Sequence, residues 1–405
     1  MNENNKLKTL VFLRYLGDSF FYPFLSLYLN SLLFGEAKIG FLIALVPLIS
    51  IAFNPIYQKI CKNSKILKGV LAIVGTLEGG FILLIGFSHN FYVVLTFIVL
   101  IAISGCSHYG MLDSVMTIHA KNHNLNFSAF RIFGSLAYVI GTALSGVLIK
   151  HTSFSFCFAI SAGLFMLTSL FYLLLKPLYS DAIEKEEKRS FKEVFTNKGC
   201  ILFSLFYVLV YGIIKSASSF YGLLLTHRDY GEHIYGYAYS YAVSVEVIML
   251  LILNKIDKKL NYKWLLLIAI LSITIATLIN SSTLPSFLLI VCWGFRGIAI
   301  AIMYHINYKV HVKLIGIKNI TIVSLFEELL LNIFFILMYY FGGMIIEYVS
   351  YNTYYLILAI LGGVAIVYYL VFVRKYVQKN DSVDLEETSQ VWSLLLKRNI
   401  KNAII

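Results

Sequence analysis

Nine ionisable side chains stand inside stretches of this chain that are otherwise apolar: Arg14, Asp18, Glu78, Asp113, Lys215, Glu246, Arg296, Glu327 and Glu328. A charge at the centre of a membrane-spanning helix costs about 2.5–3.5 kcal/mol on insertion scales. So many charges are expected to line a wet cavity, to pair with one another, or to lie near a surface. Carboxylates and cations placed this way have two chemistries open to them. They can hydrogen-bond a polar solute, or a carboxylate can take up and release a proton.

Arg14 and Asp18 are four positions apart, so they share a helix face with Tyr22. Asp18 is assigned to a pocket wall; the bland alternative is a local ion pair. Glu246 lies mid-run with no charged neighbour three or four positions away, as a proton carrier would. A structural partner elsewhere in the bundle is the alternative. Glu327 and Glu328 are adjacent, about 100° apart on a helix, with Lys215 and Arg296 as candidate partners. Glu78 is left open. His305, beside Tyr304, closes an apolar run and can shuttle protons near neutral pH, although a lone histidine at a helix end is more often a hydrogen-bonded structural residue. The other histidines fall mostly in loops and are set aside. The proton-coupling candidates are therefore Glu246, Glu327, Glu328 and His305.

The elements that must hold these residues are long and apolar. Of 405 residues, 59% are hydrophobic and only 13% charged, well outside the usual soluble range. Twelve runs approach the twenty or so residues a spanning helix needs: 9–33, 38–58, 69–88, 91–118, 127–149, 153–176, 199–226, 234–254, 264–281, 285–306, 320–346 and 352–373. Period-two alternation is absent, so the expected fold is an all-α membrane protein with twelve transmembrane helices. Gly35-Glu36-x-x-x-Gly40-Phe41 returns as Gly231-Glu232-x-x-x-Gly236-Tyr237, and Gln58-Lys59-Ile60-x-Lys62 as Asn254-Lys255-Ile256-x-Lys258. The repeat predicts two pseudo-symmetric six-helix bundles, 1–176 and 199–374. A charged cytoplasmic linker, 177–198, joins them, and a cytoplasmic tail, 375–405, follows. The tail is either an interfacial amphipathic helix around Trp392, Leu395, Leu396 and Ile400 or a disordered segment.

Net charge is +12, but its placement points to a membrane and not to nucleic acid. Of the 33 lysines and arginines, only Lys38, Lys150 and Arg228 fall in the outer loops if the N-terminus is cytoplasmic. Both termini are expected inside, with anionic lipids as secondary partners. Five scattered cysteines, with no C-x-x-C, predict neither a disulfide nor a metal site. No cofactor is expected, and no cleavable signal peptide is evident.

The segment Phe130-Arg131-Ile132-Phe133-Gly134-Ser135-Leu136-Ala137-Tyr138-Val139-Ile140-Gly141 resembles the start of helix 5 in the oligosaccharide/proton symporter branch of the major facilitator superfamily, which includes lactose-permease-like and phenylpropionate-permease-like proteins. Gly17-x5-Pro23-Phe24, Asp113 eighteen positions before Arg131, and Val245-Glu246-Val247-Ile248 are similar to other parts of that branch. The resemblance implies the major facilitator fold and a solute site containing Asp18, Asp113, Arg131, Ser135 and Tyr138. Tyr138 lies two turns beyond Arg131 on one face, where it can stack on a ring of the solute. A structural ion pair between Asp113 and Arg131 is the alternative, and solute or water can also bridge them. The chain departs from the pattern at Gln58, where the usual glycine and aspartate of the 2–3 loop are missing. It also has Tyr138 in place of a sugar-stacking tryptophan, and no His-x-x-Glu pair after His305.

Two similar membrane halves are the usual build of a secondary transporter. The expectation is a proton-coupled symporter for a sugar, nucleoside or aromatic acid, monomeric, in a bacterial plasma membrane. A proton-driven efflux antiporter, a membrane-embedded enzyme and a non-transporting sensor are the alternatives. The absence of G-x-S-x-G, H-E-x-x-H and a P-loop argues against a hydrolase or an ATPase.

Overall fold

A computed structural model describes residues 3–60, 64–123, 128–175, 191–257 and 260–377. Most of the linker expected at 177–198, most of the tail expected at 375–405, and Cys61 lie outside the described residues. Every regular element among those residues is helical. In chain order they are α1 (Glu3–Phe21), α2 (Leu25–Ser31), α3 (Glu36–Ile60), α4 (Ser64–Ile85), α5 (Phe91–Gly105), α6 (His108–Asn122), α7 (Ser128–His151) and α8 (Phe154–Leu174). They continue as α9 (Phe191–Thr196), α10 (Lys198–His227), α11 (Glu232–Ile256), α12 (Tyr262–Asn280), α13 (Ser286–Cys292), α14 (Gly294–Ile315), α15 (Ile320–Tyr348) and α16 (Tyr351–Tyr368).

Among the described residues, eleven helical stretches are long and apolar enough to cross a membrane. They match eleven of the twelve expected runs, with α5–α6 and α13–α14 each forming one stretch. The remaining run is α1–α2. It is interrupted at Tyr22–Phe24, where Pro23 supplies no amide for a continuous α-helix and the chain makes a 3-10 turn. The chain is thus an all-α, multi-pass membrane protein.

Side-chain oxygens start several helices by accepting otherwise unpaired amides. Asn90 caps α5, Ser153 caps α8 and Ser350 caps α16. Gly316, at φ +71°, ends α14 in a backbone conformation that disfavours other residues. α1 packs on α7 and α8, and α4 on α8; α10 packs against α14, α15 and α16.

The internal repeat has a structural use. Glu36 opens α3 and Glu232 opens α11, and one turn later each helix crosses a helix from the other part of the chain. A Cβ on Gly40 would lie 2.9 Å from Gly343 Cα on α15, and one on Gly236 would lie 2.9 Å from Gly146 Cα on α7. Only glycine lets the backbones approach so closely. Beside the first crossing, the Ala37 amide donates to Glu347 at 2.8 Å and the Tyr351 hydroxyl to Glu36 at 2.9 Å. These two crossings hold one end of the molecule shut.

Candidate functional site

The most tightly built polar cluster joins α1, α4, α6 and α8. Arg14 donates two hydrogen bonds to Glu78, at 2.8 and 2.9 Å, and lies 3.1 Å from Asp18 one turn further on. The Tyr22 hydroxyl donates to Glu78 at 2.6 Å. His108 Nδ1 is 3.6 Å from the same carboxylate, and its Nε2 is 3.0 Å from the Tyr172 hydroxyl. The guanidinium also lies over Phe165, 3.8 Å from the ring centre. Gly105 leaves the room needed, because a Cβ there would sit 2.8 Å from Glu78 Oε1. Arg14, Asp18, Glu78 and His108 are fully buried. One guanidinium therefore serves two carboxylates. Glu78 takes the bidentate geometry, whereas neither Asp18 oxygen has a well-formed hydrogen bond.

Arg131 on α7 lies over Tyr15, 4.5 Å from its ring centre. Asp113 on α6 faces it in charge but makes no direct ion pair with it among the described residues, and Asp113 Oδ1 is buried without a hydrogen-bond partner. Ser135 and Tyr138 continue along α7. Tyr138 meets Tyr239 of α11 at 6.1 Å between ring centres, so this residue stands where the two parts of the chain face one another.

A second charged group gathers on α10, α11 and α14. Arg296 lies 5.1 Å from the Tyr239 ring centre and donates from Nε to Ser218 at 3.0 Å. Its Nη1 is 3.8 Å from Glu246, too long for a hydrogen bond. Lys215, one turn before Ser218, stands over Tyr211 at 5.5 Å, and the Tyr211 and Tyr304 hydroxyls are 2.6 Å apart. Tyr304, beside Lys215 and Glu246, keeps 44% of its surface open, and Tyr109, beside Arg14 and Asp18, keeps 37%. Arg131, Tyr138 and Tyr239 are half-buried, so with Tyr304 these side chains from α7, α11 and α14 remain within reach of solvent.

The other expected proton-coupling residues lie in local networks. Glu327 accepts from Asn307 at 2.9 Å and His311 at 2.8 Å, and His311 also reaches Ser204 and Cys200. Glu328 accepts from Asn54 of α3 at 2.7 Å, and Asn54 accepts from Ser107 at 2.8 Å. His305 is 2.7 Å from Asp257, which also binds Lys309 at 2.7 Å and Tyr262 at 3.0 Å. Burial works against the Asp257 charge, but the hydrogen bonds from His305 and Lys309 hold its carboxyl well below the ordinary range.

Glu246 has a loose cation nearby from α14, the partner from elsewhere in the bundle that the sequence reading kept as its alternative. Two details differ from the sequence reading. Lys215 and Arg296 lie with Glu246 and not with Glu327 or Glu328. His108 and His311 sit on helices and are buried, not in loops. Glu78, left open from sequence, is the centre of the best-formed network. Its partner is 64 positions away, beyond the reach of any local spacing rule.

A family model described as "MFS_1 like family" matches residues 5–323. The maltose permease of Geobacillus stearothermophilus is 25% identical over 222 residues, 53% of this chain and 55% of that protein. An uncharacterised transporter of Bacillus subtilis (strain 168), YwbF, is 21% identical over 224 residues, 54% of this chain and 55% of its own length. The chain thus spans about half the length of the curated relatives it matches. In three dimensions it resembles the nucleoside transporter NupG, with TM-score 0.78, 16% identity, and coverage of 92% of this chain and 99% of that one. A bacterial homologue of the iron transporter ferroportin, in an inward-facing state, gives TM-score 0.71 at 12% identity, covering 93% and 98%. At these identities the structures establish the fold, which is the one those transporters share.

Proposed function

The chain belongs to the MFS_1 like family, and from that premise we propose that this membrane transporter moves a small organic solute by proton-coupled alternating access. It is a transporter of the major facilitator type and not an enzyme. In the proposed cycle, residues 1–176 and 199–374 are two bundles that rock about the central cavity, with 177–198 as their connection. The solute is a sugar, a nucleoside or an aromatic acid, as for the oligosaccharide/proton symporter branch. It binds among Asp113, Arg131, Ser135 and Tyr138; Asp18, assigned to a pocket wall from its spacing, is instead fully buried beside Arg14. In this reading both termini are in the cytoplasm of a bacterial cell and the Gly40 end faces outside, an orientation supported by the lysine and arginine asymmetry. The conformation described is then inward-open, with the outside sealed at the two glycine crossings. Anionic lipids neutralise the basic inner loops, and the working unit is a monomer.

The observation that carries the cavity reading is Tyr138 against Tyr239, two rings from opposite parts of the chain beside unpaired charges. Proton coupling is supported by Glu246, whose side chain keeps 19% of its surface open at the cavity. A carboxylate there costs less to bury once protonated, which links proton binding to closure around the solute. Glu327, Glu328 and His305 have local partners and rank behind it.

Uptake into proteoliposomes with and without an inward proton gradient tests the proposal. Gradient-driven accumulation is expected for wild type. Glu246→Gln should lose accumulation yet still exchange solute across the membrane. Undiminished accumulation by that variant would remove Glu246 from the coupling step. Cysteines at Asn90 or Ser282 should label from outside, and one at Lys188 should not.

A further inference from the structure

The two glycine crossings share a backbone geometry but not a chemistry. The partner helices carry matching runs, Gly343-Met344-Ile345-Ile346-Glu347 on α15 and Gly146-Val147-Leu148-Ile149-Lys150 on α7, and each run ends in a charge one turn past its glycine. Each charge reaches the start of the helix it crosses. Glu347 accepts the Ala37 amide at 2.8 Å, so a carboxylate caps the positive end of α3. At the second crossing a cation takes the same place. Lys150 Nζ is 3.4 Å from Nε2 of His233, which follows Gly231 by two positions as Ala37 follows Gly35. A positive charge at a helix N-terminus is unfavourable. What holds it there is the imidazole lone pair, since an ammonium can only donate. The ring proton is then on Nδ1, which is buried and has no hydrogen-bond partner.

We propose that His233 is an acid-operated latch: its protonation at the outer face breaks the Lys150 contact and parts α7 from α11, while Glu347 keeps α3 on α15. Once protonated, the ring donates from both nitrogens, and the contact becomes two cations at the positive end of α11. Imidazoles change charge between about pH 5 and 8, a range in which ordinary carboxylates stay ionised. The histidine stands at the seal itself, because a Cβ on Gly146 would lie 3.1 Å from His233 Cα. Lys150 faces it from α7, with exposed His151 next in the chain. On its own helix are Glu232 and Tyr237, the latter with its ring centre 6.4 Å away. At the end of α10, His227 lies against Tyr351, and Arg228 donates to Ser282 and Asn352. Among the described residues the histidines within ion-pair distance of a carboxylate are His108, His305 and His311, so no ion pair offsets a charge gained at His233. The inference rests on the orientation given above, with the glycine end outside, and adds that acid on that side favours opening there.

The test uses the full chain in detergent, with its five native cysteines replaced by alanine and folding confirmed by thermal unfolding. A spin-label pair at Thr152 and Tyr230 spans the α7–α11 crossing, and a pair at Lys38 and Tyr348 spans the α3–α15 crossing. From about pH 8 to about pH 5.5, across the imidazole range, the first distance should lengthen and the second should stay. His233→Gln, whose amide oxygen still accepts from Lys150, should keep the first distance short at both pH values. His233→Arg should make it long at both. A first distance that does not change with pH when His233 is present overturns the latch, as does an undiminished response in folded His233→Gln; both results leave the orientation standing. In intact cells, a cysteine at Thr152 should react with an impermeant thiol reagent added outside. Reaction only after the membrane is opened overturns the orientation, and the proposal with it.

Discussion

Among the described residues, Arg14–Glu78 and Arg296–Glu246 are the two arginine–carboxylate pairs between helices, and they are built to opposite specifications. Arg14 meets Glu78 at 2.8 Å with both groups fully buried, a tyrosine donating to the carboxylate and an aromatic ring against the guanidinium. Arg296 approaches Glu246 only to 3.8 Å, with the carboxylate 19% exposed and an arginine nitrogen unpaired. The first pair has too many acids for its cation; the second has too many cations for its acid. A dry pair closed by a bidentate bond holds helices together and has little left to offer a solute. A loose pair that touches water is poorly suited to holding helices and better suited to meeting something that comes and goes. The same residue types thus serve the fold in one place and stay within reach of water in the other.

The largest expected effect is on stability. Arg14→Leu leaves two carboxylates in a dry site with no cation and should cost about 3–5 kcal/mol. Glu246→Gln removes a loose pair that already touches water and should cost about 1 kcal/mol or less. Thermal unfolding of the detergent-solubilised variants measures both. Equal losses in the two pairs would break the contrast between them.

What joins the two regions is the next test. A Cβ at Gly236 would meet the Thr142 carbonyl oxygen and Gly146 Cα. Gly236→Val therefore forces α7 and α11 apart, with an overpacking cost of about 1–3 kcal/mol. The closed end should become accessible, so that a cysteine near Tyr239 gains reactivity towards an impermeant thiol reagent added from that side. Gly363, where a Cβ meets nothing within 4 Å, is the control position: Gly363→Ala should leave reactivity unchanged. No gain in the Gly236 variant would show that the crossing does not seal the molecule.

Arg131 sharpens the contrast at the level of binding. It has neither the clamp of Arg14 nor the loose acid of Arg296, and rests on Tyr15. Lysine lacks the planar face that stacks on a ring. Arg131→Lys should keep the protein folded and weaken solute binding about tenfold, equivalent to about 1.4 kcal/mol. Asp113→Asn should act in the same direction. Near-normal binding by both folded variants would make the Asp113–Arg131 neighbourhood structural.

The legibility of these regions in the sequence follows from the distance over which each is assembled. Span length and apolarity are local, so eleven helical stretches are readable without coordinates. The glycine repeat is readable as a pattern, yet its use depends on Gly343 and Gly146 arriving from elsewhere in the chain. Arg14 with Asp18 is visible because the two are one turn apart. Glu78, His108 and Tyr172 are not, because their companions come from other helices. His311 reads as a loop residue in the sequence because α14 runs to Ile315, nine residues beyond the apolar run that ends at Ile306. Lys215 and Arg296 look like partners for Glu327 and Glu328 on composition alone; only packing sends them to Glu246.

The smallest expected effect separates the two pairs most finely. Ser218 is the only hydrogen-bond acceptor identified for Arg296 among the described residues, so Ser218→Ala removes a bond to a charged donor. In a saturated site that loss would leave the donor stranded and cost about 1–3 kcal/mol. Around Arg296 there is slack. The guanidinium can swing from α10 towards Glu246, closing a gap that now stands at 3.8 Å and forming the hydrogen bond it lacks. The net loss of stability should then be about 1 kcal/mol or less. The matching change in the other region is Gly105→Ala, which presses a methyl group onto Glu78 Oε1 and the Tyr22 hydroxyl. No comparable slack exists there, because Glu78 is held by Arg14 and Tyr22 together. Gly105→Ala should therefore cost more stability than Ser218→Ala. The reverse order, measured by thermal unfolding of both variants, would mean that the looser pair is the one holding the helices.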